Sequence, residues 1–401
     1  MSRLTINSIH RKRRPSQGSK KVKIIAKICF LAIFIFIGLF LVKGVQFLSH
    51  IQTPKFFPGT KVSPTPPEKH TYTILLMGYG GSTHEGTYLT DTMMVLHIDL
   101  EKKKAALISI PRDTWVKFPT KSGDNFHSKI NSIYQIELFP NDFPDVDVDS
   151  FKDKVPGNGT KSLVSQVVGF PIDNYLAVDF QGFKKAIDIL GGIDVKIEKT
   201  FTDSEYPVDG KERDLCGKQE SDLPELEKIA TQSPQTAFPC RYETLIFNKG
   251  TMHMDGETAL KFVRSRHSLE DGGDFNRASR QQLFLQAVKD KVLQLNFVTK
   301  IIPLMDELQN HIRTDIATVE MTKFLPETTK IKEYILSMLV LSDDNFLMSD
   351  ISDNGQFILV SKEGQDKWTS VHTGLHNLIE GITPTPSASL RTSPSAPVYG
   401  E

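Results

Sequence analysis

No aspartate or glutamate occurs before Glu68, although 48 acidic residues balance 48 lysines and arginines over the 401-residue chain. The missing acids leave a basic N-terminus and a net acidic remainder. Cysteine is scarce as well, with three residues at Cys29, Cys216 and Cys240, and no His/Cys spacing of a zinc site accompanies them. His84, His127 and His267 are isolated in sequence and read as ordinary surface histidines. Neither a Walker loop nor a dinucleotide fingerprint is present, since GYGG (Gly78 to Gly81) lacks their spacing. DVDVDS (Asp145 to Ser150) starts like a calcium loop, but Ser150 stands where the glycine belongs and Pro156 where the bidentate acid belongs. Internal repeats are absent. Disorder is excluded by an apolar content of 39%, enough to bury a substantial core.

The chain begins with a basic run, Arg11 to Lys23, leading directly into IIAKICFLAIFIFIGLFLV, Ile24 to Val42. At ~1.5 Å per residue this stretch reaches about 28 Å, against a bilayer core of roughly 30 Å. The pattern predicts a cytoplasmic basic segment over 1–23 and a transmembrane helix over 24–43. A cleaved signal peptide would have a small-residue cleavage site, which does not follow here. Basic flanks stay inside, so the expectation is a single-pass cell-membrane protein with its folded part outside. The adjacent span argues against reading the basic run as a nucleic-acid-binding or nuclear-targeting segment. A Pro-rich stalk is expected over 44–70 and a disordered tail over 383–401. Cys216 and Cys240 would face an oxidising exterior. They are read either as a disulfide or as two unpaired small residues in a loop.

Between stalk and tail, strand-like and helical pieces mix without strict alternation. The fold class is therefore α/β, a layered domain with a mixed sheet. A main domain is expected over 71–300, with an α/β extension over 301–382. The polar segment 202–241 reads as a surface insert. DTMMVLHIDL and KAALISI, joined by EKKK, form a predicted hairpin, which would place Asp91 and Arg112 at the same end.

VRSRHSLEDGGDFNRASRQQ, Val263 to Gln282, is dense in arginine. Arg264 and Arg266 would point to one side if that segment is extended. Arg277 and Arg280 follow a turn at the start of an amphipathic helix, where the dipole favours anions. Guanidinium forks match phosphate oxygens. Solvated arginines paired with Glu270, Asp271 and Asp274 are the plainer alternative. Combined with Arg112 and Asp91, the cluster favours a polyphosphorylated ligand, with Asp91 able to hold a divalent cation. Arg280, turned away from Arg277 by helical spacing, reads as a structural ion-pair partner. Met93 and Met94 suit either the core or a lipid groove.

LTDTMMV, SIPRDTWV, HSKINSIY, DGETALKFVRSRHS and GDFNRASRQQ occur in this order behind one N-terminal anchor. The set resembles the LytR-CpsA-Psr family of bacterial cell-envelope proteins, over about Thr71 to Leu295. The resemblance implies an α/β/α sandwich that transfers a phosphoglycan from a polyprenyl-pyrophosphate carrier to peptidoglycan, with Mg²⁺ or Mn²⁺ bridging the pyrophosphate. It assigns the metal aspartate to Asp91 and the pyrophosphate arginines to Arg112, Arg264, Arg266 and Arg277. Gln281, Lys129 and Asn131 are implied as further substrate contacts. The family often has a second aspartate after the first strand, where this chain has Gly78-Tyr79-Gly80; Glu85 is the expected substitute if one exists. A polyprenyl-pyrophosphate hydrolase and a non-catalytic lipid- or glycan-binding scaffold are the rival readings.

Overall fold

The computed structural model describes residues 69–81, 88–151, 155–292, 301–317 and 326–382. The expected span, most of the stalk, Glu85 and the tail lie outside these residues. Among the described residues no helix is long and apolar enough to cross a membrane.

The strands that matter to the site are β1 (Thr71–Tyr79), β2 (Thr90–Asp99), β3 (Lys104–Ser109), β4 (Asn174–Asp179), β5 (Phe201–Pro207), β6 (Tyr242–Phe247), β7 (Ile312–Thr314) and β8 (Ile335–Val340). The helices are α1 (Asn158–Val168), α2 (Phe180–Leu190), α3 (Gly256–Arg264), α4 (Asp274–Val292) and α5 (Thr369–Glu380). Six strands form one mixed sheet in the order β7-β4-β1-β2-β3-β8. β2 pairs antiparallel with β1 and β3, whereas β4 runs parallel to β1 and β8 parallel to β3. The mixed α/β fold expected from the sequence is therefore present.

Strand alternation divides the side chains between the two faces. Tyr175, Leu75, Val95 and Ile108 are register partners across the sheet, and all join the main core with Val164 and Val167 of α1 and Val371 and Leu375 of α5. One position along, Leu176, Leu76 and Met94 are partners on the opposite face. There they look toward α2, α3 and α4, whose Ile187, Leu260 and Phe284 belong to a second core. Met93 is in the main core, while its neighbour Met94 lines the space between sheet and helices.

The segment expected to be a C-terminal extension supplies both edge strands, β7 and β8, and α5 packs on the main core. It is integral because the sheet's outer positions would otherwise expose unpaired N–H and C=O groups. Gln282 of α4, 5% exposed, ties the helix to this edge. Its Nε2 donates to Ser109 Oγ at 2.8 Å and to the Leu339 carbonyl at 2.9 Å. Gln282→Leu should lower the unfolding free energy by about 1–3 kcal/mol, the cost of leaving buried acceptors without their donor. Chemical denaturation of the full chain measures this, and an unchanged midpoint would count against the assignment.

Candidate anion site beneath an apolar cavity

A cavity of about 530 Å³ lies between the second face of the sheet and the helices. Leu76, Met94, Leu176 and Val178 form its floor; Phe180, Phe183, Leu260 and Phe284 come from the helices. Asp91, Arg112, Arg264, Arg266, Arg277 and Gln281 line the same cavity.

Antiparallel pairing of β2 and β3 brings the end of the hairpin to a charged focus. Arg112 donates from Nη1 to Asp91 Oδ1 at 2.6 Å, and its Nε lies 3.5 Å from Asp113 and 4.0 Å from Asp274. That Nε is buried without a hydrogen-bond partner. Arg277, 7% exposed, pairs with Asp274 at 3.0 Å. Burial alone would raise the Asp274 carboxyl, but Arg277, Arg112 and Arg266 outweigh it and hold the group below the usual carboxylate range. Asp274, read from sequence only as a pairing partner, is thus the carboxylate around which these guanidiniums gather. Burial pushes Arg277 below the usual arginine value. An anion beside it would offset the cost of burying that charge.

The local sequence explains how Arg264 arrives here. Asp255 caps α3 by accepting from the Thr258 N–H at 2.8 Å, and the helix runs through Arg264 before Ser265 turns extended. Arg264 and Arg266 therefore do not form a same-side pair on one extended segment, as expected. The helix ends between them, and both still reach the cavity because the break occurs at its wall. The Arg264 guanidinium lies over the rings of Phe180 (4.4 Å) and Tyr206 (5.6 Å). It donates to Tyr206 Oη at 3.2 Å and pairs with Asp209 at 3.4 Å. Burial pushes the Tyr206 hydroxyl up, keeping it protonated.

Of the remaining expected residues, Lys129 and Asn131 fall outside the cavity and Gln281 within it. Lys129 ends a short strand and pairs with Asp113 at 2.5 Å, one step behind Arg112. Asn131 is buried in a 3₁₀ turn, not at an α-helix start, and its carbonyl accepts from Thr90 Oγ1. Neither is among the cavity residues. Arg280 is buried and points away from the cavity, donating to the Asp271 carboxylate and carbonyl. Gln281 does line the cavity, and its Nε2 donates to the Val263 carbonyl.

The segment 202–241, read from sequence as a surface insert, also contributes to the site. Cys216 and Cys240 form a disulfide, with Cα atoms 5.4 Å apart. β5 and β6 make the antiparallel base of this segment, and Glu205, Tyr206, Pro207, Asp209 and Glu212 face the cavity. The segment is thus a wall of the site as well as a surface excursion. Only the aromatic and acidic residues near its start could have signalled this. Asp179 was also missed. It lines the cavity opposite Tyr79, but its oxygens are engaged by the Gly182 N–H and His311 Nδ1.

A divalent cation is tested by the same geometry. Among the described residues, the one cluster of His, Cys and acids close enough to share an ion is Asp214, Cys216 and Cys240, and its sulfurs are joined in the disulfide. Asp91 belongs to no such group of three among the described residues, and one of its oxygens is taken by Arg112.

The LytR_cpsA_psr family model matches residues 49–370. The chain belongs to the LytR-CpsA-Psr family. Polyisoprenyl-teichoic acid–peptidoglycan teichoic acid transferase TagV of Bacillus subtilis (strain 168) is 30% identical over 258 residues, which are 63% of this chain and 52% of TagV. The enzyme of the same activity from Oceanobacillus iheyensis, TagU, is 26% identical over 62% of this chain and 60% of its own length. This chain thus matches only about half of TagV. The crystal structure of B. subtilis TagV superposes with a TM-score of 0.51 at 24% identity, covering 80% of this chain and 100% of that one. Protein gbs0355 of Streptococcus agalactiae gives 0.52 at 19% identity, covering 82% and 93%. These structures share the fold with this LytR-CpsA-Psr protein.

Asp203, 1% exposed, holds the arginine loop to the insert. Burial works to raise its carboxyl, yet hydrogen bonds from Ser265 Oγ and the His267, Glu205 and Arg266 N–H groups win and hold it below the usual range. A depressed folded-state pKa contributes stability above the unfolded value, about 3.9, which is lost as pH falls through the folded one. Asp203→Asn should therefore melt below wild type at neutral pH, and the gap should close on acidification. Melting temperature against pH for both proteins measures it; a gap independent of pH would remove this role.

Proposed function

We propose that the protein is a membrane-anchored, extracytoplasmic phosphotransferase that moves a phosphoglycan from a polyprenyl-pyrophosphate carrier to peptidoglycan. The observation that carries this reading is the apolar cavity meeting Arg112, Arg264, Arg266 and Arg277. A lipid tail suits the apolar floor, and a pyrophosphate suits the arginines. The family and the names of TagV and TagU support a teichoic-acid-like glycan as cargo. The apolar run over 24–43 would hold the domain at the membrane where its donor lies.

Catalysis of this class rests on positioning and charge neutralisation. The buried, unpartnered Nε of Arg112 is a donor suited to a phosphate oxygen. Arg264, fixed between Phe180 and Tyr206, cannot swing freely and so presents its charge without further ordering. Asp91 would hold Mg²⁺, which when bound would supply positive charge against the phosphates.

Arg264→Ala and Arg266→Ala should each cut transfer by about 100-fold or more, the usual cost of removing one charge-stabilising donor. The assay uses the full chain in detergent, a polyprenyl-pyrophosphate-linked glycan and peptidoglycan, with products separated to distinguish transfer from hydrolysis. Full activity in both variants, or release of glycan phosphate with no acceptor product, would sink the reading. Asp91→Asn should abolish the response to Mg²⁺; an unchanged response would make Asp91 purely structural.

A further inference from the structure

Resting on that transferase reading, we propose that His267, oriented by Glu205, is the general base that accepts the proton of the attacking acceptor hydroxyl. Both residues line the cavity, although 62 positions separate them. His267 Nδ1 lies 3.0 Å from Glu205 Oε2, and its Nε2 lies 2.9 Å from Arg266 Nε. An arginine Nε–H can only donate, so Nε2 must carry the lone pair and Nδ1 the proton, donated to Glu205. This is the tautomer a general base requires. The basic nitrogen faces the guanidinium that would hold phosphate, and a carboxylate behind the ring stabilises the imidazolium as it forms.

The ring is also anchored through its backbone. The His267 N–H donates to Asp203 Oδ2 at 3.1 Å, and the same buried carboxylate holds Ser265 Oγ and the Arg266 N–H. The charged groups that the structure sets against His267 are Glu205 and Asp203 on β5 and Arg266 beside it. Its side chain is 38% exposed, so an acceptor arriving from solvent can reach it. At the charged focus Asp91 is already bound to Arg112 at 2.6 Å, and Asp113 and Asp274 are likewise paired with arginine or lysine, so none of the three is well placed to take a proton.

The step balances as follows. As the donor pyrophosphate draws Arg266 into its own hydrogen bonds, Nε2 is released to the acceptor hydroxyl. The hydroxyl oxygen forms a bond to the phosphorus nearer the glycan, and the bond from that phosphorus to the bridging oxygen breaks. The bridging oxygen leaves with polyprenyl phosphate, and the hydroxyl proton moves to Nε2. Glu205 belongs to the strand at the base of the disulfide-closed insert, so the insert would supply the residue that orients the base.

The test compares full-length wild type, His267→Gln and Glu205→Gln in detergent. It uses a synthetic short-chain polyprenyl-pyrophosphate disaccharide and peptidoglycan fragments as probes. His267→Gln should lower kcat by on the order of 100-fold and remove the acidic limb of the pH–rate profile, with donor Kd and melting temperature unchanged. Glu205→Gln should lower kcat less than His267→Gln, with donor Kd unchanged, because the ring loses the partner that fixes its tautomer and orientation. The assignment is overturned if His267→Gln turns over like wild type, keeps the acidic limb, or loses activity only through weaker donor binding or a lower melting temperature. A wild-type protein with no turnover would overturn the transferase reading and the base with it; an active wild type matched by His267→Gln would overturn the base alone.

Discussion

Buried guanidinium groups repel one another and are costly to desolvate, so the site depends on the carboxylates that hold them together. Asp274 lies between Arg112 and Arg277, Asp91 and Asp113 flank Arg112, and Asp271 holds Arg280. Removing one partner of such a buried pair typically costs about 3–5 kcal/mol, because the other charge is left uncompensated. These four acids come from three places: Asp91 and Asp113 from the end of the β2–β3 hairpin, Asp271 from the turn before α4, and Asp274 from the first turn of α4 itself.

That convergence also positions the apolar space. The side of the sheet carrying Leu76 and Met94 is closed by helices whose cores point partly elsewhere, toward β5 and β6. A cavity results where the arginines end. The insert completes the wall and presents Tyr206 to Arg264. Its own small cluster of Leu226, Ala237 and Phe238, closed by the disulfide, lets a polar segment keep a defined shape.

Much of this was legible in the residues. Antiparallel geometry across a charged turn was enough to bring Asp91 to Arg112, and helical spacing was enough to turn Arg280 away from Arg277. The first argument stays within one hairpin, 21 residues from end to end, and the second within one turn of a single helix. Other features depend on contacts far apart in sequence, and no local pattern carries them. β7 and β8 close both edges of a sheet begun more than two hundred residues earlier. His267 looks isolated until β5 brings Glu205 to it. Lys129 and Asn131 follow the family's motif order, yet the strand and 3₁₀ turn that carry them set both beside Arg112 rather than in the cavity.

The sequence by itself determined the mixed α/β class, the family and the arginine-rich composition of the site, because periodicity, turn chemistry and motif order act locally. Tertiary structure alone decided that α3 would end at the cavity wall, that the insert would line the site, and that Asp274 would be the centre of the charge cluster. The physical reason is that desolvated charges settle where opposite charges from distant elements can neutralise them, and that choice depends on the packing of the whole chain.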